Sequence, residues 1–164
     1  MTEAQRESPK KIRMLIVDDS ASLREGLVSL CSLLSELEVV GTAGDGVEAL
    51  DAIRNLKPDV VSLDIRMPKM GGVEVLRAIK RDQLTCTPIV LSGLTDELAR
   101  EKYLELGAEY VFDKSTELEK FLQVLGCSHK FRKFPATART CARKRTGPAE
   151  KLRRRPKDKG RPMI

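Results

Sequence analysis

The chain has 164 residues, of which 41% are hydrophobic, so it is long enough to bury the core of one domain. It contains no run of the roughly 18 apolar residues that a membrane span requires, and its polar first ten residues do not resemble a secretory signal. We therefore expect a cytoplasmic protein whose four cysteines are reduced. The single histidine, His129, excludes a multi-histidine metal site.

Charge is distributed unevenly along the chain. Residues 128–164 contain fourteen Lys and Arg but only two acidic residues, a net charge of +12, whereas the whole chain carries +6. The first 127 residues therefore carry −6. We predict a disordered N-terminal segment at residues 1–10, a folded domain at 11–127 and a basic, disordered tail at 128–164, because the tail lacks apolar periodicity.

Five short apolar runs alternate with five stretches of helical periodicity. The predicted strands lie at about 12–17, 37–42, 60–63, 88–91 and 109–113. Alternating strands and helices with short connections predict an α/β fold, in which a parallel sheet is covered by helices on both faces. The first, third and fourth strands are the most apolar and should be central. This pattern favours a doubly wound, flavodoxin-like sheet with the strand order 2-1-3-4-5.

The predicted helices differ in how clearly they present an apolar face. The second should turn Val47, Leu50 and Ile53 inward. The fourth, at about 96–106, is the least amphipathic, with Leu98 and Leu104 as its candidates for packing. The last helix should begin at a capping box formed by Thr116 and Glu119.

Charged residues stand where three of the predicted strands end. Asp18 and Asp19 follow the first strand, Asp64 follows the third and Lys114 follows the fifth. The carboxyl ends of parallel strands meet at one edge of the sheet, where α/β folds bind ligands. Clustered carboxylates need a compensating cation, and an oxygen-only set with few carboxylates suits Mg²⁺. We predict a phosphoryl-transfer site with Asp64 as nucleophile, although Asp18 and Asp19, taken alone, could equally cap a helix.

Four motifs, in this order along the chain, resemble the response-regulator receiver domain of two-component signalling. They are LIVDDS at 15–20, LDIRMP at 63–68 followed by MGG at 70–72, LSG at 91–93 and FDKS at 112–115. The resemblance spans about residues 11–126 and includes all five predicted strand–helix units. It implies a phospho-acceptor rather than an enzyme, with slow self-dephosphorylation.

The resemblance also implies a role for each site residue. Asp64 would be phosphorylated by a sensor histidine kinase or a phosphotransfer protein. Mg²⁺ would be bound by Asp18, Asp19, Asp64 and the backbone carbonyl of Arg66. Ser92 and Lys114 would contact the phosphate, with Ser92 acting in the switch, and output would pass to an unknown downstream protein through the surface formed by helix four, strand five and helix five. Val111 stands where many relatives have a switching aromatic residue, so we do not expect that form of coupling.

Two other functions remain as alternatives. An Mg²⁺-dependent phosphohydrolase could also use an aspartyl phosphate, but Ile65 and Arg66 replace the DxDxT pattern of that class. A nucleic-acid-binding regulator could use the basic tail, whose Lys and Arg residues suit weak, non-specific binding to phosphate backbones. The tail could instead dock on anionic membranes, have no selected role or be a reading-frame accident.

Overall fold

A computed structural model describes residues 10–93 and 95–127 of the chain. Strands and helices alternate in it as β1 Ile12–Val17, α1 Ala21–Cys31, β2 Leu37–Ala43, α2 Gly46–Leu56, β3 Val60–Leu63, α3 Gly72–Arg81, β4 Thr87–Ser92, α4 Glu97–Glu105, β5 Tyr110–Asp113 and α5 Leu118–Gly126. Of the ends predicted to be disordered, 1–10 and 128–164, residues 1–9 and 128–164 lie outside the described residues, so disorder there stays a prediction.

The five strands form one parallel sheet in the order β2-β1-β3-β4-β5. This order confirms the predicted flavodoxin-like topology, with β2 and β5 at the edges. Every residue of β3 is buried, and so are five of the six residues in β4, which explains why these strands read as continuous apolar runs. In β2, by contrast, only the first and last residues are buried.

The core consists of two apolar layers, one on each face of the sheet. On one face α2 and α3 pack on Leu15, Val61 and Val90, and Tyr103 of α4 joins them partly buried. On the other face α1 and α5 pack on alternate residues of the same strands. Phe121 of α5 is fully buried there and meets Phe112 edge-on, with ring centroids 6.0 Å apart.

Three residues that were predicted to pack are exposed instead. Val47 is 47% exposed, whereas Leu50 and Ile53 are buried as predicted, together with Ala49. In α4, Leu98 and Leu104 are 77% and 47% exposed, and this helix has no buried residue. Six of the eleven residues of α2 are apolar, so its sequence fits more than one buried face, whereas α4 has too few apolar residues to indicate one. In both helices the sheet beneath decides which side is buried.

The predicted capping box of the last helix is also wrong. The Thr116 hydroxyl donates to the Asp113 carboxylate (3.2 Å) rather than capping α5. Glu117 occupies the N-cap position and accepts a hydrogen bond from the backbone N–H of Asp113 (3.0 Å). In residues 10–93 and 95–127, no helix is both long and apolar enough to cross a membrane.

Candidate functional site

The carboxyl ends of β1, β3 and β5 bring the predicted charged residues together at one edge of the sheet. Val17 of β1 pairs with Leu63 of β3, so Asp18 and Asp64, the next residues of each chain segment, emerge side by side. The Asp64 backbone N–H donates to the Val17 carbonyl (2.9 Å), which fixes this alignment one residue beyond the strands. Lys114 follows β5 at the same edge, and its backbone N–H donates to the Ser92 carbonyl (3.0 Å).

The side chains converge as well as the backbones. The Lys114 ammonium contacts the Asp18 carboxylate and lies 3.2 Å from Oδ2 of Asp64. The side chains of Asp18 and Asp64 are only 3% and 6% exposed, and that of Lys114 is 17% exposed. Carboxylate oxygens of Asp18, the exposed Asp19 and Asp64 all lie within 4.8 Å of one another. The structure thus joins two buried carboxylates, one exposed carboxylate and one ammonium group.

Burial and the neighbouring positive charge act in opposite directions on the pKa of Asp64, and burial is the larger effect. Burial raises the pKa of Asp64, because a carboxylate loses hydration there, and the neighbouring Asp18 charge raises this pKa further. The Lys114 ammonium and the backbone N–H of Ile65, which donates to Oδ1 of Asp64 (2.8 Å), act in the opposite direction. Asp64 is therefore a carboxylate whose ionised form depends on nearby positive charge.

Backbone packing also holds Asp64 in place. Gly72 begins α3 and lies directly against the preceding strand end, so a Cβ atom at this position would overlap the carbonyl oxygen of Asp64. The Gly72 N–H donates to the carbonyl of Ile65 (2.9 Å) and closes the β3–α3 loop on itself. Only glycine permits this close approach of the loop to the site.

Asp18 and Asp19 are not the caps of α1. Ser20 is the N-cap residue, and its hydroxyl accepts the backbone N–H of Leu23 (3.4 Å). Asp18 accepts the Ser20 N–H through Oδ1 (2.9 Å), which leaves Oδ2 directed at Lys114. Arg24 donates to the Asp18 carbonyl (2.6 Å) and ties α1 to this turn.

Ser92 and Arg66 flank the cluster. Ser92 is 2% exposed at the last position of β4, where it pairs with Asp113. Arg66 is exposed in the β3–α3 loop, two residues after Asp64. Its guanidinium lies beside the β4 end, since a Cβ atom on Gly93 would be 3.9 Å from Nη2 of Arg66. Both residues therefore stand at the edge where the carboxylates meet.

Two polar contacts around the site were not predicted from the sequence. Lys69 of the β3–α3 loop donates to Oδ2 of Asp45 (2.6 Å), the N-cap residue of α2. Arg100 of α4 pairs with Glu117 at the start of α5. Asp45 three residues before Glu48 is a recognisable N-cap signal, but nothing local indicates its partner 24 positions away.

Comparisons with known proteins agree with this geometry. Residues 14–126 match the family described as response regulator receiver domain. The chain is 46% identical over 98 residues to a protein-glutamate methylesterase/protein-glutamine glutaminase of Lawsonia intracellularis, and 50% identical over 101 residues to one of Koribacter versatilis. These matches cover 58% and 59% of this chain but 27% of each relative, so the chain spans about a quarter of the length of these curated relatives.

Solved structures give the same result at the level of the fold. The receiver domain of the putative response regulator NarL from Mycobacterium tuberculosis has a TM-score of 0.68 and 34% identity, covering 74% of this chain and 98% of that one. The response regulator domain of Thermotoga maritima CheB has a TM-score of 0.68 and 31% identity, with 77% and 100% coverage. Sequence family, sheet order and structural likeness agree, and the chain belongs to the response regulator receiver domains of two-component signalling.

Proposed function

We propose that the domain, at residues 11–127, is a phospho-acceptor in which Asp64 receives a phosphoryl group from a sensor histidine kinase or a phosphotransfer protein. The supporting observation is the position of the Lys114 ammonium, which contacts Asp18 and lies 3.2 Å from Oδ2 of Asp64. A buried aspartate beside one ammonium and two further carboxylates is suited to accept a phosphoryl group and to hold a cation beside it. The proposed output is a change in contacts with a downstream protein.

The donor set fits the cation that receiver domains bind at their acidic phosphorylation site, Mg²⁺. Asp18, Asp19 and Asp64 offer oxygen ligands only, with atoms within 4.8 Å of one another, and hard cations such as Mg²⁺ prefer oxygen. These three side chains and the backbone carbonyl of Arg66 would hold the ion, which would neutralise charge on the phosphoryl oxygens. Among the similar structures, a CheX–CheY complex from Borrelia burgdorferi contains BeF3 and Mg²⁺.

Asp64, Lys114 and Ser92 have separate roles in the proposed phosphoryl transfer. Oδ2 of Asp64 attacks the phosphorus of a phosphohistidine, the new P–O bond forms as the P–N bond breaks, and the electron pair stays on the imidazole. Lys114 stabilises negative charge on the transferred group from the β5 side. Ser92, at the end of β4, would donate a hydrogen bond to the phosphoryl group and change position when Asp64 is modified.

The named activity of the curated relatives is not proposed for this domain. The matched region is about a quarter of their length and coincides with the receiver domain. The carboxylate cluster supports phosphoryl transfer to the protein itself. Repeated hydrolysis of a phosphomonoester would favour the phosphohydrolase alternative instead.

Incubation with acetyl phosphate and Mg²⁺, followed by intact-mass measurement, tests the proposal. The wild type should gain the mass of one phosphoryl group, and Asp64→Asn should gain none. Asp51→Asn is the matched control, because Asp51 is an aspartate of α2 whose side chain is 70% exposed. It should be phosphorylated like the wild type. Equal phosphorylation of wild type and Asp64→Asn would contradict the assignment of Asp64.

A further inference from the structure

Two ion pairs connect α2 to the segments that flank α3. One lies at the carboxyl-terminal edge of the sheet, where the strands end, and the other lies at the amino-terminal edge, where they begin. At the edge that carries the carboxylate cluster, Lys69 Nζ lies 2.6 Å from Oδ2 of Asp45, just before α2. At the opposite edge, Nη2 of Arg54 lies 3.1 Å from Oδ2 of Asp82, just after α3. The two pairs join the same helices but differ in their distance from the site. They provide a natural comparison.

Asp45 is buried, as Asp18 and Asp64 are at the same edge of the sheet. Its side chain is 6% exposed, whereas that of Lys69 is 69% exposed. Oδ1 of Asp45 accepts the backbone N–H groups of Val47 and Glu48, both at 2.9 Å, which leaves Oδ2 for Lys69. The Lys69 ammonium lowers the pKa of Asp45, so the carboxylate is ionised at neutral pH. The charge on Asp45 is therefore matched by a single cation from the β3–α3 loop.

The β3–α3 loop is clamped at this point by backbone contacts as well. The Gly46 N–H donates to the Met70 carbonyl (3.0 Å), and a Cβ atom on Gly46 would lie 2.5 Å from that oxygen. Lys69 itself has a φ of 62°, in the left-handed region that non-glycine residues rarely adopt. A residue stays in this conformation only when its surroundings hold it there, and around Lys69 these surroundings include the start of α2.

We propose that Asp45 is a positioning residue for the β3–α3 loop, acting through Lys69. The loop runs from Asp64 to Gly72 and carries the Arg66 carbonyl, so its shape decides where that oxygen stands relative to Asp64. Gly72 holds one end of the loop against Asp64, and the Asp45–Lys69 pair holds its outer part against α2. This inference rests on the proposed function, in which the Arg66 carbonyl is a ligand of Mg²⁺.

A Mg²⁺ titration followed by NMR tests the inference. Asp45→Asn keeps a capping oxygen for Val47 and Glu48 but removes the charge, and Lys69→Met keeps an unbranched side chain. Each should weaken Mg²⁺ binding about two- to fivefold, which is most of the effect that loss of one partly exposed ion pair can have. Lys69→Arg should restore binding to the wild-type level. Arg54→Met, which breaks the pair at the opposite edge, should leave it unchanged.

Amide exchange in Mg²⁺-free protein gives a second readout. Asp45→Asn and Lys69→Met should speed exchange at Met70 and Gly72, whose N–H groups bond within the loop, and Arg54→Met should not. If the wild type binds Mg²⁺ and the Asp45→Asn and Lys69→Met variants bind it with the same affinity, the positioning role is overturned but the proposed function is not. An Arg54→Met variant that binds as weakly as Lys69→Met would overturn it too. A wild type that binds no Mg²⁺ would overturn the inference and the proposed function together.

Discussion

Helices α3 and α4 pack on the same face of the sheet but are held there in different ways. Five residues of α3 are buried, including Leu76 and Ile79, whereas α4 has none. Helix α4 is attached mainly by partly buried Tyr103 and by Arg100, which donates to the Val111 carbonyl (2.7 Å) and pairs with Glu117. Packing fixes the helix that follows Asp64, and polar contacts hold its neighbour.

This difference suggests where the domain can rearrange at small cost. Moving α3 would expose apolar area and disturb Gly72, which lies against the Asp64 backbone. Moving α4 would disturb only partly buried Tyr103 and a few hydrogen bonds, and regions with few buried contacts open first. Val111 holds the position where the family resemblance predicts a switching aromatic residue, so we expect the polar contacts of α4 to limit its movement instead.

The largest expected effect is on the free energy of unfolding, which should depend on packing in α3 but not in α4. Leu76→Ala in α3 should lower the free energy of unfolding by about 2–5 kcal/mol, because it removes a fully buried side chain. Leu98→Ala in α4 should change it by less than about 0.5 kcal/mol, because Leu98 is 77% exposed. Urea unfolding followed by circular dichroism measures both values. Similar losses in the two variants would mean that α4 is packed as firmly as α3.

Two glycine substitutions compare the crowded start of α3 with an open position in α1. Gly72→Ala should destabilise the fold by about 1–3 kcal/mol or more, because its Cβ atom would overlap the Asp64 carbonyl. Gly26→Ala, in α1, meets nothing within 4 Å and should stabilise the protein by up to about 1 kcal/mol through helix propensity. The same urea experiment applies. A neutral Gly72→Ala would show that the loop is not pressed against Asp64.

The contact between α4 and α5 should give a smaller effect. Arg100→Met should cost about 1–2 kcal/mol, since it removes hydrogen bonds to the Val111 carbonyl and to the Glu117 carboxylate. Lys120→Met is the matched control, because Lys120 also contacts Glu117 but its side chain is 66% exposed, and it should cost at most about 0.5 kcal/mol. Amide exchange should become faster in α4 for Arg100→Met only. Unchanged exchange there would show that Arg100 does not hold the helix.

The same pair should respond to acid. Hydrogen bonds from Arg100 and the Asp113 N–H lower the pKa of Glu117 from its ordinary 4.5 to about 2. Because the folded-state pKa is the lower one, the stabilisation is complete above pH 4.5 and is lost as the pH falls toward 2. The stability difference between wild type and Glu117→Gln should therefore shrink over that interval. A difference that stays constant would contradict the role of the ionised Glu117.

Most of the fold and of the site could be predicted from the sequence, because both depend on local patterns. Apolar runs such as Val60–Leu63 are buried strands, and a charged residue directly after a parallel strand must lie at the sheet edge. The order and spacing of Asp18, Asp64 and Lys114 therefore indicated that they would meet. The structure adds their distances and shows that Ser20 is the residue that caps α1.

The remaining features depend on residues that are distant in sequence. Lys69 meets Asp45 from 24 positions away, and Arg100 meets Glu117 from 17 positions away, so no helix or strand period reveals either pair. The exposure of Leu98 was missed because an apolar residue in a short helix says little about which side the sheet will cover. Such contacts follow from how the elements pack.

Locating the phosphoryl group within the chain tests the central claim most directly. Protein treated with acetyl phosphate and Mg²⁺ is reduced with borohydride, which converts an aspartyl phosphate to homoserine, and its peptides are then sequenced by mass spectrometry. We predict homoserine at position 64 alone, and none when Mg²⁺ is removed by a chelator. Homoserine at Asp18 or Asp19 in place of position 64, or an equal yield without Mg²⁺, would contradict the account.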